Sequence, residues 1–138
     1  MLKIEKTDRA DKKYSDFIDR EFEGYADKNG IVCNYENFSF AAIKDGEIVG
    51  AVSGHSYYGE AHISELIVLE KYRNMKIGTE LLEAVEKYCK EKGFENINLT
   101  SYEFQAPRFY EKNGFTVEYV RKNEKEPRLT KYFLIKRI

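Results

Sequence analysis

The sequence over residues 66–82 reads LIVLEKYRNMKIGTELL. Its first part is a continuous apolar run, typical of a buried strand, and its last part begins a 3.6-residue apolar period, typical of a helix. The turn between them contains Arg73, Lys76 and Gly78. We predict a strand, a turn and a helix here, with the N–H groups of the turn at the positive end of the helix dipole, where a pyrophosphate can bind.

The turn alone does not identify a ligand, because most strand-to-helix turns only connect two elements. It has neither the Rossmann pattern G-x-G-x-x-G nor the Walker pattern G-x-x-x-x-G-K-[ST]. Gly78 would let a phosphate come close, and Arg73 and Lys76 would add positive charge. A plain connection and an anion site are both open at this point.

A βαβ unit follows from the segments next to this turn. Apolar residues recur at steps of three and four over residues 76–92, and Gly93 ends the predicted helix. We predict strands at 61–69 and 96–100 on either side of it. A crossover helix joins parallel strands, so these two strands should run parallel.

Further upstream, Asp45-Gly46 lies between apolar runs at 38–43 and 47–52. This dipeptide predicts a type I′ hairpin, because both central residues of that turn need positive φ. A second turn at 57–60 leads into the strand at 61–69. The three strands therefore form an antiparallel meander.

The first 30 residues predict a strand and a helix. Residues 2–6 alternate as a short strand does, and Thr7 or Asp8 can cap the helix that follows. Asn29-Gly30 can stop that helix.

The C-terminal part completes the predicted fold, with a short helix over 105–113 and strands at 115–120 and 131–138. We expect an α/β (α+β) fold with a mixed sheet, in which an antiparallel meander leads into a parallel strand pair flanked by helices. We predict a single domain over residues 1–138.

The composition argues against several classes of function, among them nucleic-acid, membrane and metal binding. The net charge is −1 and no apolar run is long enough for a membrane helix, so we expect a cytoplasmic protein without nucleic-acid or membrane partners. Cys33 and Cys89 have no metal-ligand spacing around them and are interpreted as small hydrophobes, with no metal site. Residues 121–138 hold seven basic and two acidic residues, which indicates either a solvated surface or a basic side for a cofactor or partner.

A second motif lies downstream of the turn. Residues 106–115 read APRFYEKNGF, and together with the turn they resemble the two signatures of the GNAT superfamily of N-acetyltransferases. The resemblance covers about residues 61–120 and includes the order of elements before it. Each motif is moderately specific alone, whereas both in order around a βαβ unit are a strong signal.

The resemblance implies that acetyl-CoA is the acyl donor. The strands at 61–69 and 96–100 would splay apart, the pantetheine arm would bond to the backbone of the first strand, and the pyrophosphate would bind N–H groups of residues 74–79. The implied cofactor-binding residues are Leu66, Ile67, Val68, Arg73, Asn74, Met75, Lys76, Ile77, Gly78 and Thr79.

The chain departs from the family pattern at two positions. Lys76 replaces the usual glycine, and we expect this lysine to adopt an ordinary helical φ with its side chain turned outward. Glu103 replaces an asparagine that commonly contacts the pantetheine arm, so that contact is not carried over.

The resemblance also names candidates for proton transfer. Tyr110 would be the general acid, since a phenol with a pKa of about 10 is well matched to a departing thiol. The general base is His62, Glu65 or a water chain without a dedicated base. His62 and Glu65 are three residues apart and would face opposite sides of a regular strand, unless a bulge intervenes.

The implied function is transfer of an acetyl group to a primary amine, of a small molecule or of a protein, by direct attack of the amine. The alternative is a domain of the same fold that binds an acyl-CoA as a sensor without turnover. The sequence leaves the acceptor open, and a monomer and a homodimer are both compatible with it.

Overall fold

The computed structural model describes all 138 residues, which form two compact units, residues 1–34 and 35–138. In the first unit, helix α1 spans Lys12–Lys28. The carboxylate of Asp11 accepts the N–H of Tyr14 at 3.0 Å and caps its start. Asn29 caps its end, and Gly30 follows with a φ of 70°. The predicted stop is therefore confirmed.

Two details of the N-terminal prediction are wrong. Residues 2–6 form no strand, because alternation makes a strand only where a neighbouring strand takes its hydrogen bonds. Thr7 and Asp8 do not cap α1. The Asp8 carboxylate instead accepts the N–H of Ala10 at 2.8 Å, which makes a turn before the helix and leaves the cap to Asp11.

The second unit is built on one mixed sheet of six strands in the order β1-β2-β3-β4-β6-β5. Its strands and helices are β1 (Glu36–Lys44), β2 (Glu47–Tyr57), β3 (Glu60–Val68), α2 (Ile77–Lys92), β4 (Asn96–Tyr102), α3 (Arg108–Lys112), β5 (Thr116–Arg121) and β6 (Lys131–Arg137). The predicted elements from β1 onward are all present, with ends shifted by a few residues. The mixed fold class is confirmed.

Local turn chemistry explains the meander. Asp45 and Gly46 have φ values of 52° and 79°, the two positive values that a type I′ turn requires. Tyr58 and Gly59 repeat the pattern with 57° and 81°. Both β1–β2 and β2–β3 are therefore antiparallel hairpins.

The parallel pair of β3 and β4 opens after a short contact. Only residues 60–62 of β3 pair with residues 96–98 of β4. Beyond this point β3 continues along β2 alone, and β4 continues along β6 alone. The result is a split in the middle of the sheet, as predicted, which is closed at His62 and Asn98 and open toward Val68 and Tyr102.

Helix α2 covers one face of the sheet. Its predicted apolar stripe is buried at Leu81, Val85 and Cys89. These side chains share the core with residues from four strands and the C-terminal region, namely Phe38, Val52, Ala61, Ile63, Ile97, Leu99, Phe115 and Leu134. Burial raises the pKa of the Cys89 thiol to about 11, so this cysteine behaves as a hydrophobe, whereas Cys33 is half-buried. No helix in the structure is both long and apolar enough to cross a membrane.

Candidate active site

The N-terminus of α2 presents free N–H groups at the open end of the split. The first helical bond runs from the N–H of Glu80 to the carbonyl of Lys76 at 3.0 Å. No side chain caps the helix, so the N–H groups of Ile77, Gly78 and Thr79 have no acceptor in the protein. Uncapped N–H groups at the positive end of a helix bind anions.

The backbone conformation of Lys76 differs from the one that the sequence predicted. Its φ is 64°, in the left-handed region, and not the ordinary helical value that we expected. The reason is the shape of the turn, in which Asn74 also has a φ of 63° and the chain must reverse before the helix starts. Asparagine tolerates this region, but lysine does so at an energetic cost, and glycine would adopt it freely.

Arg73 holds the turn against the strand that precedes it. Its Nε donates to the carbonyl of Val68 at 3.1 Å. This hydrogen bond satisfies the last carbonyl of β3 and holds the positively charged side chain beside the start of the turn. Met75 and Lys76 are exposed on the outside of the turn.

Gly78 connects the two sequence motifs. A Cβ at this position would lie 2.8 Å from Cζ of Phe109, so the missing side chain makes room for the ring of α3. The ring of Phe109 in turn packs edge-on against Tyr110, with centroids 5.2 Å apart. Gly78 therefore sets how closely α3 approaches α2.

Tyr110 lies on the α2 side of the sheet, among the core residues. Its ring contacts Phe109 and Phe115 edge-on, and burial raises the pKa of its phenol above the ordinary value. The Tyr110 hydroxyl makes no hydrogen bond within the protein. It is thus a protonated donor at neutral pH with its proton available.

A bulge in β3 changes which residues share a face. Glu65 pairs with Ser53 and Ile63 pairs with Gly54, so Ser64 is an extra residue in β3. His62 pairs with His55. Because His55 and Ser53 are two apart in a regular strand, their partners His62 and Glu65 face the same side. This side is opposite to α2.

Three hydrogen bonds fix the ring of His62 across the parallel pair. Asn96 Nδ2 donates to Glu60 Oε1 at 2.9 Å, and Asn98 Nδ2 donates to Asn96 Oδ1 at 3.0 Å. Asn98 Oδ1 then lies 2.7 Å from His62 Nδ1. The Glu60 carboxylate can only accept a hydrogen bond, so Asn96 must donate to it and Asn98 must donate to Asn96. The Oδ1 of Asn98 is therefore the atom that faces His62, and it can only accept a hydrogen bond. The neutral tautomer that fits this row has its proton on Nδ1 of His62 and its lone pair on Nε2.

Aromatic rings surround the imidazole pair of His62 and His55. Their ring centroids are 5.4 Å apart, and His55 is stacked with Tyr35 and Tyr57. Burial, and to a smaller extent His62, lowers the pKa of His55. His55 is thus neutral at neutral pH and adds no positive charge beside His62.

The sequence named Tyr110, His62 and Glu65 as candidates but gave no reason to name Glu60, Asn96 and Asn98, which form the hydrogen-bonded row beside His62. The only signal for these three was the predicted parallel pairing of the two strands. Pairing alone gives no register, and the register 60 to 96 and 62 to 98 is what brings the three side chains into line.

A family model described as the acetyltransferase (GNAT) family matches residues 4–115 of the chain. Among curated proteins, the chain is 29% identical over 128 residues to the aminoalkylphosphonate N-acetyltransferase of Salmonella typhimurium. That alignment covers 85% of this chain and 83% of the relative.

Solved structures share the fold. An acetyltransferase from Bacillus cereus is 30% identical with a TM-score of 0.76, over 97% of this chain and 98% of that one. An aminoglycoside 6′-N-acetyltransferase complexed with coenzyme A is 18% identical with a TM-score of 0.67, over 99% and 97% of the two chains. The second likeness concerns the fold alone.

Proposed function

The chain belongs to the acetyltransferase (GNAT) family, and on that premise we propose that it transfers the acetyl group of acetyl-CoA directly to the primary amine of a small molecule. The donor would lie in the split between β3 and β4. Its pyrophosphate would bind the uncapped N–H groups of α2, and its pantetheine arm would bond to the unpaired edge of Leu66, Ile67 and Val68.

One observation carries this proposal. Tyr110, the candidate proton donor, lies on the α2 side of the sheet, and His62, the candidate proton acceptor, lies on the opposite side. This arrangement suits a direct transfer, because the amine loses a proton and the thiolate gains one at different points around the thioester.

The step can be written with these residues. Nε2 of His62 takes a proton from the ammonium group, and the free amine attacks the thioester carbonyl, whose oxygen becomes an oxyanion stabilised by a backbone N–H of β3. The C–S bond then breaks and the thiolate takes the proton of Tyr110. The nitrogen loses its second proton to water to give the amide, and the Tyr110 phenolate regains a proton from water. Glu65 would stand beside His62 and hold the incoming ammonium by charge.

The choice of His62 over Glu65 as the base depends on their surroundings. The hydrogen bonds from Glu60 through two amides place the His62 proton on Nδ1, so that Nε2 is the atom that can accept a proton, and it is aimed away from β4. Glu65 is exposed and takes part in no ion pair. A fixed lone pair is a better proton acceptor than a mobile carboxylate with a weaker affinity for protons.

A small-molecule acceptor agrees with the name of the curated relative, an aminoalkylphosphonate N-acetyltransferase. The test is turnover of acetyl-CoA with a panel of amines, followed through the released thiol with a chromogenic disulfide. Saturable thiol release that requires an amine supports the proposal. Tight binding of acetyl-CoA without turnover on any small or protein amine would mean that the chain is a sensor.

A further inference from the structure

Three aromatic rings form a continuous surface on the face of the sheet opposite to α2. The rings of Tyr35, His55 and Tyr57 lie next to one another, with centroids 5.8 to 6.0 Å apart. Both tyrosines are open to solvent, with 56% of Tyr35 and 40% of Tyr57 exposed. We refer to these three residues as the aromatic triad. Because the face of an aromatic ring carries a partial negative charge, a surface of this kind attracts cations.

The part of this face that β1, β2 and β3 form carries negative charge and no basic side chain. Its charged groups are the carboxylates of Glu60 and Glu65, which take part in no ion pair, and Glu60 pairs directly with Tyr57 of the aromatic triad. Burial lowers the pKa of His55, so this ring is neutral at neutral pH. By alternation, the other residues on this face are Asn37, Ser39, Ala41, Ile43, Ile48, Ala51, Ser53, His62 and Ile67. The surroundings of the triad therefore favour a cation and repel an anion.

The aromatic triad adjoins the candidate base. His55 pairs directly with His62, and their ring centroids are 5.4 Å apart. Tyr57 follows on the same face of β2 and is the diagonal neighbour of His62, about 7 Å away. This distance is close to that between the two nitrogens of an extended four-carbon diamine. A molecule of this length can therefore have one nitrogen at Nε2 of His62 and the other against the triad.

We propose that the aromatic triad binds a second ammonium group of the acceptor, so that the preferred substrate is a diamine or a longer polyamine. This inference rests on the acetyl transfer proposed above and adds the acceptor's second functional group. The distal ammonium would lie against the ring of Tyr57, with the Glu60 carboxylate beside it. Asn96 donates only to Oε1 of Glu60, so Oε2 can accept a hydrogen bond from the ammonium. This acceptor class differs from the phosphonate in the name of the curated relative.

The test compares acceptors of equal length. 1,4-Diaminobutane carries a second ammonium group, whereas 4-amino-1-butanol carries a hydroxyl group in its place. We expect the kcat/KM of the wild type to be about tenfold higher for the diamine, with a preference that declines as salt is added, because the Glu60 carboxylate contributes to it. Tyr57→Leu removes the ring and keeps an apolar side chain, so it should remove most of this preference. Tyr57→Phe keeps the ring and should retain the preference.

Tyr119→Leu is the control, since Tyr119 is an exposed tyrosine of β5 outside the aromatic triad, and the preference should stay at its wild-type value. An equal loss in this control or in Tyr57→Phe, or no preference in the wild type, would overturn the proposal. A higher kcat/KM for 3-aminopropylphosphonate or for 2-phenylethylamine than for the diamine would also overturn it.

If no amine is acetylated, the acetyl-transfer proposal fails separately. The thermal shift given by 1,4-diaminobutane then decides whether the aromatic triad is a cation site. A shift that is lost in Tyr57→Leu and kept in Tyr57→Phe supports the site, whereas an absent shift, or one that is equal in both variants, refutes it.

Discussion

The two faces of the split are built by different means. On the α2 side, the candidate ligand-binding groups are backbone N–H groups and the half-buried phenol of Tyr110, and both are held by packing, as the close approach of Gly78 to Phe109 illustrates. On the opposite side, the groups are side chains from three strands, and His62 is held by hydrogen bonds that cross the parallel pair. Apart from the loss of the Tyr110 hydroxyl, substitutions on the α2 side should therefore act on stability and donor binding. Those on the opposite side should act on where protons lie.

Tyr110→Phe should give the largest effect and tests the one chemical group of the α2 side. The substitution keeps the ring contacts and removes only the proton donor. We expect kcat to fall by about 10²-fold, the scale for loss of a positioned acid, with little change in acetyl-CoA affinity or melting temperature. The raised pKa of Tyr110 means that the wild type should lose this activity only above a pH of about 10, and this high-pH limb should change in the variant.

A near-normal kcat in Tyr110→Phe on the true acceptor would remove Tyr110 as the acid. The phenol makes no hydrogen bond within the protein, so a purely structural role predicts no large loss of stability either. The measurement of kcat, donor affinity and melting temperature on the same variant separates these outcomes.

Gly78→Ala should give the next largest effect, and on stability. The new Cβ would lie 2.8 Å from the Phe109 ring, and overpacking of this kind costs about 1–3 kcal/mol. Thermal or denaturant unfolding would measure it. Gly24→Ala in α1 is the matched control, because a Cβ there meets nothing within 4 Å, and alanine should leave stability level or raise it. Equal effects at both positions would mean that Phe109 yields easily.

Local sequence predicted the elements that depend on local chemistry. The Asp45-Gly46 turn, the βαβ unit and the uncapped turn before α2 all follow from patterns within a few residues. The strand at residues 2–6 failed because a strand needs a partner that alternation does not supply. The bulge at Ser64 depends on the register between β2 and β3. The hydrogen-bonded row of Glu60, Asn96 and Asn98 depends on the register between β3 and β4. No local sequence pattern encodes either register.

Asn98→Leu tests the opposite side and should give a smaller loss of rate. Leucine has a similar size but cannot accept a hydrogen bond from His62 Nδ1, so both tautomers of the His62 ring become accessible. We expect kcat to fall by about tenfold, equivalent to about 1.4 kcal/mol, and the low-pH limb of kcat/KM to move, since that limb reports the base. Glu60→Gln, at the far end of the row, should show the same change to a lesser degree.

The control for this prediction is His62→Gln. If His62 is the base, His62→Gln should abolish the low-pH limb and make Asn98→Leu silent in the double variant, because the asparagine then has nothing to position. An unchanged limb in His62→Gln would shift the role of base to Glu65 or to water. A pH profile for Asn98→Leu that matches the wild type would mean that the row is structural.

Lys76→Gly should give the smallest effect among these variants. It tests backbone and side chain together, because Lys76 has both a strained φ and a positive charge. The left-handed φ of 64° costs a lysine about 1 kcal/mol relative to a residue that adopts it freely. Glycine should therefore raise the free energy of unfolding by about that amount. Asn74→Gly, at a φ of 63°, should raise the free energy of unfolding less, because asparagine tolerates the left-handed region.

Lys76→Gln keeps the strain and removes the charge, so weaker acetyl-CoA binding in both Lys76 variants would mean that the ammonium group contacts the phosphates. Weaker binding in neither would mean that the turn binds through its N–H groups alone, as the rest of the α2 side does, and a lower stability of Lys76→Gly would contradict the strain.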